Sequence, residues 1–368
     1  MSRPILAPFV MDPRGRVYVA ADGPEVYAWS GVDDSPLWKD FFDGIIVGIG
    51  ISGDHVHGVD TDGRVVTWRV FDGERVDVRP QDRRVHGFYA DPHGGLALRT
   101  DAGVRLLAPN GLVADGAVAK ASVVARDSTG VRVLVGTEAG ELVWLDALGN
   151  RTGSISAGAP VRAVAWSAHA CWVVAAGTRL LVLAADPPTA VQGAVQASPV
   201  LATYDVGGTI SAIAVSSDGW LLAAAVGDRV VVVTRTDGSK LSTIQYKRPV
   251  GAVGFGADTW LAVCLEHADV NRIELATGRL TKNSPGLGRH SDPWGASVEM
   301  NAAEVRGALA RARAGGAPVA MQVNRPKPGE AADTGRPWWV YALVALAFFF
   351  VCLGCATSGG VTAWFLRG

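Results

Sequence analysis

Short runs of β-branched and small apolar residues, broken by Gly- and Asp-rich turns, recur along most of this chain. The clearest copy runs from Lys120 to Ser156. Ser122–Arg126 is β-prone, Asp127–Gly130 is a turn, and Val131–Val135 is the next strand. Gly136–Gly140 turns again, Glu141–Leu145 follows with Trp144 in it, and Arg151–Ser156 supplies a fourth strand after Asp146–Asn150. Runs of this length bounded by Gly and Asp are strands joined by tight turns.

Four strands with apolar residues on both faces leave both faces to be covered, so one such unit implies neighbours of the same kind. The first turn of the unit recurs at Asp12–Gly15, Ser52–Asp54, Asp91–Gly94, Asp127–Gly130, Ser167–Ala170, Ser216–Gly219 and Gly256–Thr259. Successive offsets are about 40 residues, with one near 49, a period that belongs to propeller blades. The prediction is an all-β fold: a seven-bladed β-propeller of four-stranded antiparallel blades over 1–284, with units from about Leu6 to Asn283. The long spacing falls in unit five, where Asp186–Gly208 carries Pro187, Pro188 and Pro199 and reads as a loop before an outer strand at Val200–Tyr204. The chain starts on an inner strand, and Arg279–Asn283 supplies the last outer one. Closure then rests either on packing between blades one and seven or on Ser297–Met300 pairing back on an edge.

Unit six, with Ile213–Val215, Ser216-Ser217-Asp218-Gly219, Leu221–Val226 and Val230–Val233, resembles a WD40 blade. Units two and four add a Trp late in the third strand, Trp68 and Trp144, and unit three has Leu106 there. The likeness, WD40-like or YVTN-type, covers about three quarters of the chain as blade rhythm. No Gly-His pair opens the blades and no Trp-Asp pair occurs, so the buried His–Ser/Asp–Trp set of that family is not traced. The resemblance implies a non-catalytic protein-binding ring, with partners on the face made by second-to-third-strand turns and between-blade loops.

Past Ser284 the pattern changes. Residues 285–336 read as a Gly/Pro/Ser loop, a helix at about 301–314 capped by Asn301 with Glu304 three residues on, and a Pro/Gly-rich tether. Residues 337–366 hold no charge and exceed the roughly 20 residues a membrane-spanning helix needs. Trp338, Trp339 and Tyr341 at one end and Trp364 at the other fit two interfacial belts. Arg325, Lys327 and Arg336 precede the span and only Arg367 follows, which places the propeller in the cytoplasm on a single-pass tail anchor. Gly354, Ser358 and Gly360 have spacing suited to helix–helix packing and a homo-oligomer.

Composition narrows the chemistry. The 368 residues carry a net charge of −1, no electrostatic footprint for nucleic acid. Arg far outnumbers Lys, compatible with a GC-rich bacterial genome, and with the span this suggests a bacterial inner membrane. No apolar export signal follows Met1. Cys171 and Cys264 fall in strands as core thiols, and Cys352 and Cys355 sit in the apolar tail, so no disulfide framework is expected. The seven histidines read as surface or loop residues. His55 and His57 share a strand face but lack a third metal ligand, and Asp60-Thr61-Asp62-Gly63 lacks the later acids of a calcium loop and reads as a turn. No nucleophile elbow, P-loop or dinucleotide fingerprint is present in a suitable context, so no catalytic residue, metal or cofactor is expected.

The expected partner-binding residues are the aromatic and basic ones assigned to between-blade loops: Trp38, Phe41 and Phe42; Arg83 and Arg84; Tyr246, Lys247 and Arg248. The aromatics have an alternative use in packing between blades one and two. The expected function is a membrane-tethered scaffold or adaptor for a protein partner. Two rivals are a ligand sensor or enzyme that uses the central channel, and a self-associating structural protein. The inner strands, with Val123, Val124, Val161, Ala163, Val164, Ile213, Ala214, Val250 and Val253, read as mostly small and apolar, which disfavours a channel site.

Overall fold

The computed structural model describes residues 8–12, 14–33, 35–91, 94–109, 111–188, 199–256, 260–265 and 269–277, the backbone of 279–283 and 297–300, and positions 303, 306, 307 and 310. Blade one is β1 (Phe9–Met11), β2 (Val17–Asp22), β3 (Glu25–Ser30) and β4 (Pro36–Phe41). Blade two is β5 (Ile46–Ser52), β6 (His55–Asp60), β7 (Val65–Arg69) and β8 (Arg75–Arg79). Blade three is β9 (Val85–Ala90), β10 (Leu96–Thr100), β11 (Gly103–Leu107) and β12 (Val113–Gly116). Blade four is β13 (Ala121–Arg126), β14 (Arg132–Thr137), β15 (Glu141–Asp146) and β16 (Arg151–Ser156). Blade five is β17 (Val161–Ser167), β18 (Cys171–Ala176), β19 (Arg179–Ala184) and β20 (Val200–Asp205). Blade six is β21 (Ile210–Val215), β22 (Leu221–Val226), β23 (Arg229–Thr234) and β24 (Lys240–Gln245). Blade seven is β25 (Val250–Phe255), β26 (Trp260–Leu265), β27 (Val270–Glu274) and β28 (Arg279–Asn283). Each blade is an antiparallel meander whose strands pair in chain order.

The inner strands form a closed circle. Each of β1, β5, β9, β13, β17 and β21 lies against the inner strand of the following blade, and β25 lies against β1. The buried apolar residues divide accordingly into seven clusters among the described residues, one per junction. Strand β22 shows why its sequence is apolar without a break. Leu221, Ala223 and Ala225 face blade seven, while Leu222, Ala224 and Val226 face blade five. Alternation sends successive side chains to opposite faces, and a propeller blade has a neighbour on both.

Near the axis the blades converge and side chains must be small. A Cβ on Gly48 of β5 would stand 2.6 Å from the Phe88 Cβ of β9, and one on Gly136 of β14 would stand 2.3 Å from Val161 Cγ1. The repeated first turn is equally physical. Asp12, Ser52, Asp91, Asp127, Ser167 and Ser216, its first residues, are all buried. Their side chains accept backbone N–H bonds from the far side of the turn, as in Gly95 to Asp91 (3.0 Å), Val131 to Asp127 (3.0 Å) and Leu221 to Ser216 (2.9 Å). A buried carboxylate or hydroxyl is tolerated because the turn satisfies it.

Among the described residues, closure uses no strand shared between blades one and seven. Met11, Tyr18, Ala20, Tyr27 and Trp29 of blade one form a core with Ala262, Cys264 and Val270 of blade seven. The Arg272 guanidinium adds cation–π contacts to Trp260 (4.7 Å) and Tyr18 (5.9 Å). Ser297–Met300 is also a strand, β29, but it pairs with β24 as a fifth strand of blade six rather than joining blades one and seven. Both alternatives left by the sequence thus occur, and only the first closes the ring.

Cys171 and Cys264 are buried free thiols in β18 and β26. Among the described residues no helix is long and apolar enough to cross a membrane. The expected linker and span, with Trp338, Trp339, Tyr341, Trp364, Gly354, Ser358 and Gly360, lie outside the described residues, as does most of the 301–314 helix.

Candidate interaction face and channel mouth

In every blade the inner strand begins at the end of the ring where the second-to-third-strand turn and the connector to the next blade also lie, a consequence of the meander order. The residues singled out on the three connectors therefore fall on one face. Their surroundings differ. Trp38 and Phe41 are in outer strand β4 rather than in a loop. Trp38 stacks on Trp68 (centroids 5.9 Å apart) and its Nε1 donates to the Val70 carbonyl (2.7 Å). Phe42 is on the connector but only 3% exposed, edge-on to Trp68 at 5.3 Å. These two aromatics pack between blades one and two, the alternative use named above, because the Trp68 indole leaves an apolar hollow that they fill. Tyr246 is likewise 3% exposed, in the core between blades six and seven.

The remainder face solvent. Phe41 is 55% exposed, and Arg84 and Lys247 are exposed. Arg83 is partly exposed, 3.4 Å from Asp115. Arg248 pairs with Asp269. Lys120, on the connector into blade four, adds another exposed cation and holds a left-handed backbone (φ 53) that non-glycine residues seldom adopt.

On the axis side of this face is a feature that strand periodicity hides. The inner strands of blades two to seven each carry a β-bulge immediately after the first residue. Pairing skips Val47, His86, Ser122, Arg162, Ser211 and Gly251. The residue before each bulge is Ile46, Val85, Ala121, Val161, Ile210 or Val250, all but Ala121 buried. A bulge re-aims the extra side chain without disturbing the pairing beyond it. Five of the six bulge residues line a cavity of about 410 Å³ at the axis: Val47, Ser122, Arg162, Ser211 and Gly251.

Phe9, Phe88 and Tyr89, from blades one and three, are the aromatic residues among the described lining of the cavity. Arg99 and Arg162 bring guanidinium groups from blades three and five, and no Asp or Glu is among the described lining residues. Arg99 comes from second strand β10 and passes over Gly87, whose absent Cβ would sit 3.0 Å from Nε. Its Nη1 donates to the Ala121 carbonyl (3.3 Å), and its Nη2 donates to that of His86. The Ser122 hydroxyl lies within bonding distance of the Gly136 (3.0 Å) and Val161 (2.7 Å) carbonyls, tying blades four and five at the rim. The expectation of mostly small and apolar inner strands agrees with Val123, Val124, Ala163, Val164, Ile213 and Val253, which line the cavity, and Arg99, Arg162, Ser122 and Ser211 are the polar residues it did not include. The signal was present as a recurring start to the inner strand, Val/Ile, any residue, small residue, as in Val161-Arg162-Ala163 and Ile210-Ser211-Ala212.

No family model matches the sequence, and no curated protein matches it. Among solved structures it is similar to the β-propeller domain of Myceliophteria thermophila Cps50 (Swd1), seen in a crystal structure. The superposition has a TM-score of 0.62 at 14% identity and covers 74% of this chain and 96% of that one. At that identity the likeness concerns the fold.

A second cavity, of about 450 Å³, opens between blades two and three and is lined by His55, His57, Asp77 and Arg79 among others. His57 is not the surface residue expected. It is 8% exposed, with Nδ1 3.0 Å from Thr67 Oγ1, because its β6 position faces inward. Burial, helped by the nearby positive charges of His55 and Arg79 and opposed by Asp77, pushes its pKa down to about 4. His55 lies 6.4 Å away, ring to ring, and no group of three or more metal-ligating side chains gathers among the described residues. Asp60 is fully buried and accepts the Arg64 backbone N–H (2.8 Å), a turn as expected.

Proposed function

We propose that this protein is a non-catalytic scaffold or adaptor, tethered to a bacterial inner membrane by residues 337–366, whose propeller faces the cytoplasm and recruits a protein partner. The observation that carries the binding part of this reading is one of placement. Phe41, Arg83, Arg84, Lys120, Lys247 and Arg248 share the face on which the axial cavity opens. An exposed aromatic among arginines is the composition of contact hot spots. Trp38, Phe42 and Tyr246 support that face from beneath by fixing the connectors to the blade cores. The tether and its orientation rest on the uncharged apolar run and the basic residues before it.

The test is recovery of partners from solubilised membranes by the full-length chain. The reading expects a reproducible protein that is lost when Phe41, Arg84 and Lys247 are changed together to Ala, Glu and Glu. Failure to recover any reproducible partner contradicts it. A second reading, a small-ligand sensor, is favoured by one observation: the otherwise apolar axial cavity includes two arginines and two serines in its lining.

A further inference from the structure

We infer that the mouth of the axial channel is an oxyanion pocket, with Arg162 as its principal ligand, that receives an acidic side chain presented by the protein partner. This rests on the scaffold reading and names what the partner must carry. Arg162 is the bulge residue of β17, partly buried, and one of the residues that line the cavity. It forms no hydrogen bond or ion pair with any described residue. Most other arginines with side chains near the ring surface are engaged, as Arg16 is with Asp12, Arg64 with Asp43 and Arg105 with Asp115. An arginine five donors strong that is turned toward the axis by a bulge, without a carboxylate, is a recognition group waiting for an anion.

The surroundings agree. Arg99 adds a second positive charge to the same walls, held in place by the carbonyls of Ala121 and His86. No acidic residue lines the cavity among those described, so its charged side chains are all positive, and low-dielectric walls strengthen their pull on an anion. The sign is confined to the cavity, because the face around it mixes Arg84, Lys120 and Lys247 with the exposed carboxylates of Asp43, Asp62, Asp82 and Asp101. A volume of about 410 Å³ holds one or two side chains rather than a folded element. Phe9 and Phe88 in the lining offer apolar contact to the methylenes of a Glu or to a neighbouring apolar residue. A partner segment that inserts one acidic side chain into the cavity meets these features at once.

The test uses the full-length chain in detergent micelles and a fluorescein-labelled hexaglutamate peptide, followed by anisotropy at low and moderate salt. The inference expects saturable binding that weakens as salt rises. Arg162→Gln should reduce affinity about tenfold or more, as loss of a charge-assisted bidentate contact does. Ser211→Asp, which supplies a carboxylate to the same cavity from the next blade, should reduce it as well. Arg69→Gln, at the far end of β7 beside Asp72 and Glu74, should leave it unchanged. Equal affinity for the wild type and both cavity variants overturns the inference. So does inorganic phosphate binding at the cavity with no binding of hexaglutamate, which assigns the pocket to a free anion. The two readings separate in a parallel membrane pull-down. If wild type and Arg162→Glu recover the same partner, the scaffold stands and the pocket falls. If neither recovers one, the scaffold falls, and the peptide titration still decides the pocket.

Discussion

Arg126 reaches from the end of β13 across the junction to blade three, and its Nη1 lies 3.1 Å from the carboxylate of Asp91 with both side chains at most 5% exposed. The same guanidinium donates to the carbonyls of Gly130 (2.7 Å) and Leu107 (3.4 Å), so one side chain ties the first turn of blade four to that of blade three. Taking two charges out of water is costly, and the two carbonyl bonds to Arg126 offset part of that cost, although its Nε is buried without a partner. Arg126→Met should therefore lower stability by about 3–5 kcal/mol, since it leaves the Asp91 charge buried without its cation. The double variant with Asp91→Asn should recover part of that loss. Denaturant midpoints of the three proteins check both statements.

A second tie joins blades one and two. Trp68 Nε1 donates to Asp40 Oδ2 (2.6 Å), and Arg75 Nε donates to the same oxygen (2.6 Å). Burial alone raises the Asp40 pKa, but the bonds from Arg75 and Trp68 win and hold it below the ordinary carboxylate value. A depressed carboxylate pKa stabilises the fold above the ordinary value and ceases to do so as pH falls through the depressed one. Asp40→Asn should thus lower stability at pH 7, by about 1–3 kcal/mol, and the difference from wild type should shrink in acid. Thermal midpoints at pH 7 and pH 3 measure it.

His57 also lowers stability toward acid, in a higher pH window and through the burial of its neutral ring. In the fold its ring stays neutral down to about pH 4, whereas an ordinary histidine takes a proton near 6.5. Above about pH 6.5 both states are neutral and the residue makes no difference to pH dependence. Between there and pH 4 the unfolded chain binds the proton first, and stability falls, by something on the order of 2–3 kcal/mol at the lower end. His57→Gln should flatten that part of the curve. A urea titration at pH 7 and pH 4.5 on both proteins reads the difference directly.

Crowding at the axis makes a steric prediction. Gly48→Ala places a Cβ against the Phe88 Cβ, and neither strand is free to retreat because each is the inner strand of its blade. The expected cost is about 1–3 kcal/mol. Glycine 53, whose Cβ would meet nothing within 4 Å, is the control for space; its left-handed φ of +57 makes some strain common to its own Ala variant.

The propeller was legible because its signals are local. Asp12, Asp91, Asp127 and Ser216 mark the same turn at a steady spacing, and the strands between turns are short and apolar. The direction in which side chains point was much less so. A bulge adds one residue and flips the alternation, so Arg162 reads as an ordinary polar position at a strand start while the backbone turns it to the axis. Phe42 and Tyr246 sit in connectors, where exposure is the usual expectation, yet each fills a hollow that only the neighbouring blade creates. His57 is polar by type and inward by register. Ring closure between Met11, Tyr18 and Cys264 joins residues some 250 positions apart and leaves no local mark.

The claim that the channel-mouth face recruits a partner is tested most directly by photocrosslinking in intact cells. A benzoylphenylalanine placed at Lys247 or Arg84 samples that face, and one at Leu148 or Val131, which are exposed on turns at the opposite end of blade four, samples the other. The account predicts a discrete adduct of higher mass from Lys247 and Arg84 and none from Leu148 or Val131. Adducts from the opposite face alone, or from neither, would contradict it.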